Sequence, residues 1–394
     1  MQKFHIIGIT DSREVSFSKE VQALISRSHV FSGGRRHHEI VAGWLPEAAV
    51  WIDITVPLDN VFVHYADYQD IVVFASGDPL FFGFANTVMR KLPEAVVQVY
   101  PAFNSLQLLA HKSLLPYHGM RTISLTGRPW KALDEALVSG EALIGLLTDR
   151  EKTPDAIASR MKEYGYDNYR MIIGERLGNE DETVLEYTID EAIGKRFAMP
   201  NCVILKRMAV RQRPFGIPEE QFDLLDGRVN MITKMPIRLL SLSLLDLRNK
   251  SVLWDIGFCT GSVSIEAKLQ FPQLDIISFE KRAAGEQLMM ENSRRFGCPG
   301  ITAVIGDFLE MPLTEYPLPD AVFIGGHGGK LEEIVKKVCA LLPVGGTLVF
   351  NSVSADSRNT FEKALAESGM ELEQVIRLTV DEHNPIDTLK AIKR

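Results

Sequence analysis

Short apolar runs alternate with segments of helical period through the first half of the chain. "FHIIGI" (4–9), "HVFSG" (29–33), "VVFAS" (72–76) and "VVQVYP" (96–101) predict buried strands, and "FSKEVQALISR" (17–27) predicts a helix between two of them. Such alternation implies parallel βαβ units. A second cluster, "TISLTG" (122–127), "EALIGLLT" (141–148), "YRMIIGERL" (169–177) and "NCVILKR" (201–207), predicts a further α/β lobe. From 211 to 236 the pattern is lost among prolines and charges, as in an inter-domain linker.

A third pattern begins near residue 220. Its strands are "SVLWDIG" (251–257), "LDIISFE" (274–280), "ITAVIG" (301–306), "DAVFIGG" (320–326) and "GTLVFNS" (346–352). The last two runs, "ELEQVIRLTV" (371–380) and "DTLKAIKR" (387–394), are joined by a stretch containing "HNP" that is too short for a helix. They are expected to form an antiparallel hairpin at one sheet edge.

Composition narrows the chemistry. The 46% hydrophobic and 24% charged residues are those of a soluble globular protein. The longest apolar runs are too short to span a bilayer, and the strand-like start "MQKFHIIGIT" does not read as a signal peptide, so no membrane partner and a cytoplasmic location are expected. Cys202, Cys259, Cys298 and Cys339 lie far apart, which fits a reducing compartment and no metal site. A net charge of −8 disfavours non-specific nucleic-acid binding.

The stretch "SVLWDIGFCTGSVSIEAK" (251–268) runs from a strand through a glycine turn into a helix. A dinucleotide fingerprint would need glycine at 257, 259 and 262, and only Gly257 is present. What remains is Asp255-x-Gly257-x-x-Thr260-Gly261. A carboxylate there repels a pyrophosphate but accepts hydrogen bonds from an α-amino group, so S-adenosylmethionine fits. Ligands in such sheets lie outside the carboxyl ends of the strands. The next ends supply Glu280, 19 residues after Gly261 and suited to ribose hydroxyls, and the pair Asp307-Phe308, suited to the adenine. Alone, Glu280 reads as a solvated charge; the set points to a donor site. Cys259 stands where glycine is usual: a positive φ would cost ~1–2 kcal/mol, or else the turn is relaxed. "FIGGHGGK" (323–330) lacks the stacking platform of enzymes that methylate base amines and leaves an open floor for a bulky planar ligand.

At this point the residues carry a resemblance. "GRVNMITKMPIR", "VLWDIGFCTGSVSIEA", "ENSRRFG" and "PDAVFIGGHGG" resemble the decarboxylating methyltransferases of corrin biosynthesis. "VFSGGRRHHEIV" (30–41), "FASGDPLFFG" (74–83), "VYPAFNSLQLLAHK" (99–112), "LTDREKTPDAIASRM" (147–161) and "IIGERLGNEDE" (172–182) resemble the tetrapyrrole methylases. The order is that of the fused precorrin-6Y methyltransferase family. The implied fold is α/β: a two-lobed tetrapyrrole methylase domain over 1–210 (lobes about 1–115 and 116–210), then a Rossmann-like class I methyltransferase domain over 211–394 with its terminal hairpin.

The resemblance implies S-adenosylmethionine at two sites per chain. Ser76-Gly77-Asp78-Pro79 would form the first donor loop, faced by Asn104 and Ser105. Thr233, Asp255, the turn Gly257, Phe258, Cys259, Thr260 and Gly261, Glu280, Asp307 and Phe308 would form the second. Arg35 and Arg36 in the first half, and Lys234, Arg238, Arg294 and Arg295 in the second, would hold the carboxylates of a tetrapyrrole (precorrin) substrate, where arginine's paired donors are useful. "RRHH" (35–38) also reads as a solvated basic patch, and "SGDP" as a plain turn. "GIT" (8–10), "PAFNS" (101–105) and "LTGR" (125–128) depart from the family pattern and add side chains beside the first cleft. The implied reaction is methylation of carbons five and fifteen with loss of carbon dioxide from the ring C acetate, in a homo-oligomer. A methyltransferase acting on another substrate, such as RNA, is the alternative.

Overall fold

The computed structural model describes residues 1–394 apart from Arg13, Gly227, Val229, Asn230, Glu382 and His383. Part of "GRVNMITKMPIR" and the histidine of "HNP" lie outside the described residues. The chain divides into two compact units. One comprises Met1–Arg128, Ala142–Ser159 and Tyr169–Met208; the other comprises Pro129–Glu141, Arg160–Asn168 and Ala209–Arg394.

The first unit holds two sheets. Strands β1 (Lys3–Ile9), β2 (Val30–Gly33), β3 (Val50–Asp53), β4 (Asp70–Ser76) and β5 (Val96–Tyr100) form a parallel sheet in the order β3-β2-β4-β1-β5. Its centre is β4, where Ile71 to Phe74 are fully buried. Strands β6 (Arg121–Ser124), β7 (Leu143–Leu147), β8 (Tyr169–Glu175), β9 (Thr183–Thr188) and β10 (Asn201–Arg207) form the second, in the order β6-β7-β10-β8-β9. Here only β6 and β7 pair in parallel, and the other pairs are antiparallel.

The second unit is built on a seven-stranded sheet of β11 (Val252–Ile256), β12 (Asp275–Glu280), β13 (Ile301–Ile305), β14 (Ala321–Ile324), β15 (Thr347–Ser352), β16 (Met370–Leu378) and β17 (Ile386–Lys393), in the order β13-β12-β11-β14-β15-β17-β16. The first five are parallel and the last two form the expected edge hairpin. Alternation along β11 sends Trp254 to one face, where it meets Phe279 and Phe308 edge-on at 5.1 and 6.0 Å, and Leu253 to the other, against Val263 and Phe323. Each such side chain, fully buried, stabilises the unit by about 1.5–3 kcal/mol.

The units do not follow the division at 210/211. The helix Lys131–Ser139 and residues 160–168 group with the second unit because their buried groups find partners there. Val138 packs with Ile217 and Ile265, Arg160 forks onto the buried Asp134 at 2.7 and 2.6 Å, and the Tyr166 hydroxyl donates to the Gly297 carbonyl at 2.6 Å. Nor are the described residues of 211–236 a loose linker. Ile217, Phe222 and Ile232 are buried against Ile265 and Met289, so these residues form a strap fixed to the second unit.

Candidate functional site

Outside the carboxyl ends of the second unit's parallel strands lies a cavity of about 770 Å³. The turn after β11 shapes one wall. Gly257 has φ +75°, and a Cβ there would lie 2.5 Å from the Gly326 carbonyl oxygen, so the turn can press on the backbone after β14 only with glycine. Cys259 adopts φ +50°, the strained alternative rather than the relaxed one, and burial with the nearby Glu280 carboxylate pushes its thiol pKa up. It is therefore no activated nucleophile.

Asp255, 1% exposed, lines this cavity from the end of β11. Its Oδ2 accepts from the Ser264 hydroxyl at 2.5 Å, and its Oδ1 is sealed from solvent with no partner among the described residues. Burial pushes its pKa up to about 7, opposed by the Ser264 bonds. A buried carboxylate oxygen of this kind calls for a donor, and a cationic ammonium satisfies it best.

Glu280, also buried, accepts the Cys259 N–H on Oε2 at 3.0 Å and the Arg282 backbone and guanidinium on Oε1 at 3.0 and 3.2 Å. These two bonds fill Oε1, while Oε2, with one, keeps acceptor capacity. Asp307 sits between Lys281 and Lys330, at 3.0 and 3.2 Å, and accepts the Leu309 N–H at 3.1 Å. The Lys281 ammonium is the first of the partners that hold its carboxyl down to about 2. Phe308 presents a ring to the cavity from its place against Trp254 and Phe279. Phe258, Thr233 and Lys234 complete this wall, Lys234 at the start of the helix Met235–Leu245.

Several expected residues lie elsewhere. Arg238 is wholly buried and pairs with the equally buried Glu266 at 2.9 Å while donating to the carbonyls of Thr233 and Ile217. It ties the strap to the helix Ser262–Gln270 and cannot reach a substrate. Arg294 pairs with Glu163 at 2.6 Å, and Arg295 forks onto Asp223 at 2.7 Å on both oxygens. Thr260 and Gly261 do not line the cavity; Gly261 caps the following helix.

The first unit has its own cavity, of about 580 Å³, lined by Ser76, Gly77, Asn104, Ser105, Arg36 and His37 among others. Gly77 at φ +61° passes so close to Asn104 that a Cβ would lie 2.8 Å from its Cα. Asn104 caps the helix Ser105–Lys112 through a reciprocal box with Gln107 at 2.9 and 3.0 Å. Arg36 reaches Ser76 at 3.2 Å and Asp11 at 2.9 Å. His37 also meets Ser76, at 2.9 Å, and burial pulls its pKa down to about 4. Asp78 and Pro79 serve the turn instead: Asp78 accepts the Leu80 N–H at 2.9 Å, and neither lines the cavity. Arg35 turns to solvent beside Glu39, at 3.3 Å, and does not line the cavity.

Sequence reasoning missed His327, Asn351, Leu378, Asn384 and Pro385 on the second cavity's far wall. The signal was available. A hairpin antiparallel to β15, with Ser352 opposite Asp387, must turn back at the carboxyl end of the sheet, where ligands lie.

Two family models match the chain, "Tetrapyrrole (Corrin/Porphyrin) Methylases" over residues 3–193 and "Precorrin methyltransferase domain" over residues 225–394. A precorrin-6Y C(5,15)-methyltransferase [decarboxylating] of Sinorhizobium sp is 30% identical over 385 residues, 97% of this chain and 91% of the relative. One of the same name from Mycobacterium tuberculosis is 27% identical, covering 93% and 91%. A cobalt-precorrin-6B C(15)-methyltransferase (decarboxylating) of Salmonella typhimurium is 37% identical over 155 residues, 39% of this chain and 79% of the relative.

Proposed function

The chain belongs to the precorrin-6Y C(5,15)-methyltransferase (decarboxylating) family, and from that premise we propose that it methylates a precorrin at carbons five and fifteen with S-adenosylmethionine and removes the carboxylate of the ring C acetate. The observation that carries the reading is the unpartnered Oδ1 of Asp255 in the larger cavity. S-adenosylmethionine supplies a methyl group already activated on its sulfonium. The protein's task is therefore to orient the reactants and exclude water. Asp255 holds the donor's ammonium, Glu280 accepts from ribose hydroxyls, and Phe308 with the remaining acceptor capacity of Asp307 meets the adenine. Thr233 and the 257–259 turn close the pocket around it.

The donor sites number two per chain, the other being at Ser76, Gly77, Asn104 and Ser105. The Asp255 site carries the chemistry at carbon fifteen and the decarboxylation, and the Ser76 site methylates carbon five. Arg36 at the smaller cavity, with Lys234, Lys281 and Lys330 at the larger, supplies cations for the ring's carboxylates. Mass spectrometry of the ring after incubation with S-adenosylmethionine tests the reading: two methyl groups gained and one carbon dioxide lost are expected. An unaltered ring would overturn it.

A further inference from the structure

The run Gly325-Gly326-His327-Gly328-Gly329 follows β14, the strand beside β11 at the centre of the sheet. Its backbone lies directly on the donor turn, because Gly325 and Gly326 N–H both reach the Ile256 carbonyl, at 2.8 and 3.2 Å, and Gly257 packs on Gly326. Of these five residues only His327 has a side chain beyond hydrogen, so the floor beside the turn presents a single functional group, an imidazole.

The ring is oriented. Its Nδ1 accepts the Gly329 N–H at 3.2 Å, and its edge meets Phe350 with centroids 6.0 Å apart. An Nδ1 that accepts carries no proton, so the neutral ring bears its hydrogen on Nε2 and offers one donor. Burial lowers the pKa from 6.5, which keeps the ring neutral at physiological pH.

Three of this cavity's cations come from other elements, and the fourth, Lys330, follows the run directly but turns its ammonium to Asp307 at 3.2 Å. Lys234 starts the helix Met235–Leu245, Lys281 and Arg282 follow β12, and Lys330 opens the helix Leu331–Leu341 beside Asp307. A carboxylate that is to be retained gains from an ammonium. A carboxylate that is to depart does not, because its charge disperses into the ring as the carbon–carbon bond breaks, and a cation fixed on it would stabilise the starting state most. A neutral N–H holds such a group in place without that penalty.

We propose that His327, through Nε2–H, holds the acetate carboxylate that is lost. The bond from the acetate methylene to the carboxylate breaks, its electron pair enters the conjugated ring, and carbon dioxide leaves. The methylene then takes up one proton to become a methyl group. Methylation at carbon fifteen releases one proton, so the two steps balance without an external acid or base. This role rests on the reading of the larger cavity as the site of the second methylation.

The test compares the full-length wild type with His327→Gln, whose amide nitrogen takes the place of Nε2, and His327→Asn, whose amide nitrogen takes the place of Nδ1. Ring products are resolved by mass for methyl gain and carbon dioxide loss, and S-adenosylhomocysteine binding is measured by calorimetry as a check on folding and donor affinity. His327→Gln is expected to decarboxylate within about tenfold of wild type and His327→Asn to fall by about thirtyfold or more, as for loss of one hydrogen bond to a charged group. The methyl at carbon five and the S-adenosylhomocysteine affinity should be unchanged in both. Decarboxylation by His327→Asn at the wild-type rate, or equal losses in both variants, would overturn the role of Nε2–H. A wild type that neither methylates nor decarboxylates would instead overturn the proposed function.

Discussion

Ser264 donates its hydroxyl to Asp255 Oδ2 at 2.5 Å from the first turn of the helix Ser262–Gln270, and this contact satisfies one carboxylate oxygen while leaving the other buried and unpaired. In the free protein that arrangement is costly. A cation bound there would offset that cost.

The first prediction concerns stability. Asp255 has its pKa raised from 3.8 to about 7 in the folded protein, with burial as the leading cause. Between those values the unfolded chain has released a proton that the folded chain keeps. Stability therefore falls as pH rises from about 4 to 7 and is level above, a loss on the order of 4 kcal/mol. Asp255→Asn removes this titration. In thermal unfolding the variant should exceed wild type at about pH 8 and show a shallower pH slope below neutrality. Equal slopes would show that Asp255 is already ionised when folded.

Donor binding should depend on pH in the opposite sense. The ammonium pairs with ionised Asp255, so affinity at this site should rise up to tenfold per pH unit below about 7 and then level off. Calorimetric titration with S-adenosylhomocysteine across that range checks it. Affinity that falls with rising pH would reverse the assignment.

At Cys259, with φ +50°, glycine relieves the left-handed backbone while the N–H to Glu280 is kept. Cys259→Gly should stabilise by roughly 1 kcal/mol or less and leave S-adenosylhomocysteine affinity unchanged or slightly tighter. A large loss of turnover with intact folding would give the thiol a chemical role.

Much of this was legible in the sequence because burial on both faces leaves continuous apolar runs. "VLWDI" and "DIVVFAS" could hardly be anything but central strands. β3 and β9 were missed for the converse reason: both are edge strands, and β3 buries one residue in four while β9 buries none. Antiparallel pairing in the second sheet was invisible, since a short apolar run looks alike in either direction. Arg238 looks like a substrate clamp in the sequence because its partner, Glu266, lies 28 residues further on. An arginine within "MPIRLLSLSLL" is better read as half of a buried pair. His327 passed unnoticed among its glycines, which are what leave its ring alone on the floor.

The division into units makes a prediction against the sequence. Residues 211–394 expressed alone lack Val138, the Asp134–Arg160 pair and the Tyr166 hydroxyl, all of which belong to the second unit. That fragment should unfold at a lower temperature than the second unit does within the full chain, and Tyr166→Phe in the full chain should lower that unit's transition. Identical transitions for the short fragment and the full chain would mean that these contacts contribute nothing.

Calorimetric titration of the full chain with S-adenosylhomocysteine tests the central claim most directly. Two sites are expected in wild type, and Asp255→Ala should leave one, with the remaining affinity unaltered. Two sites persisting in Asp255→Ala would contradict the account.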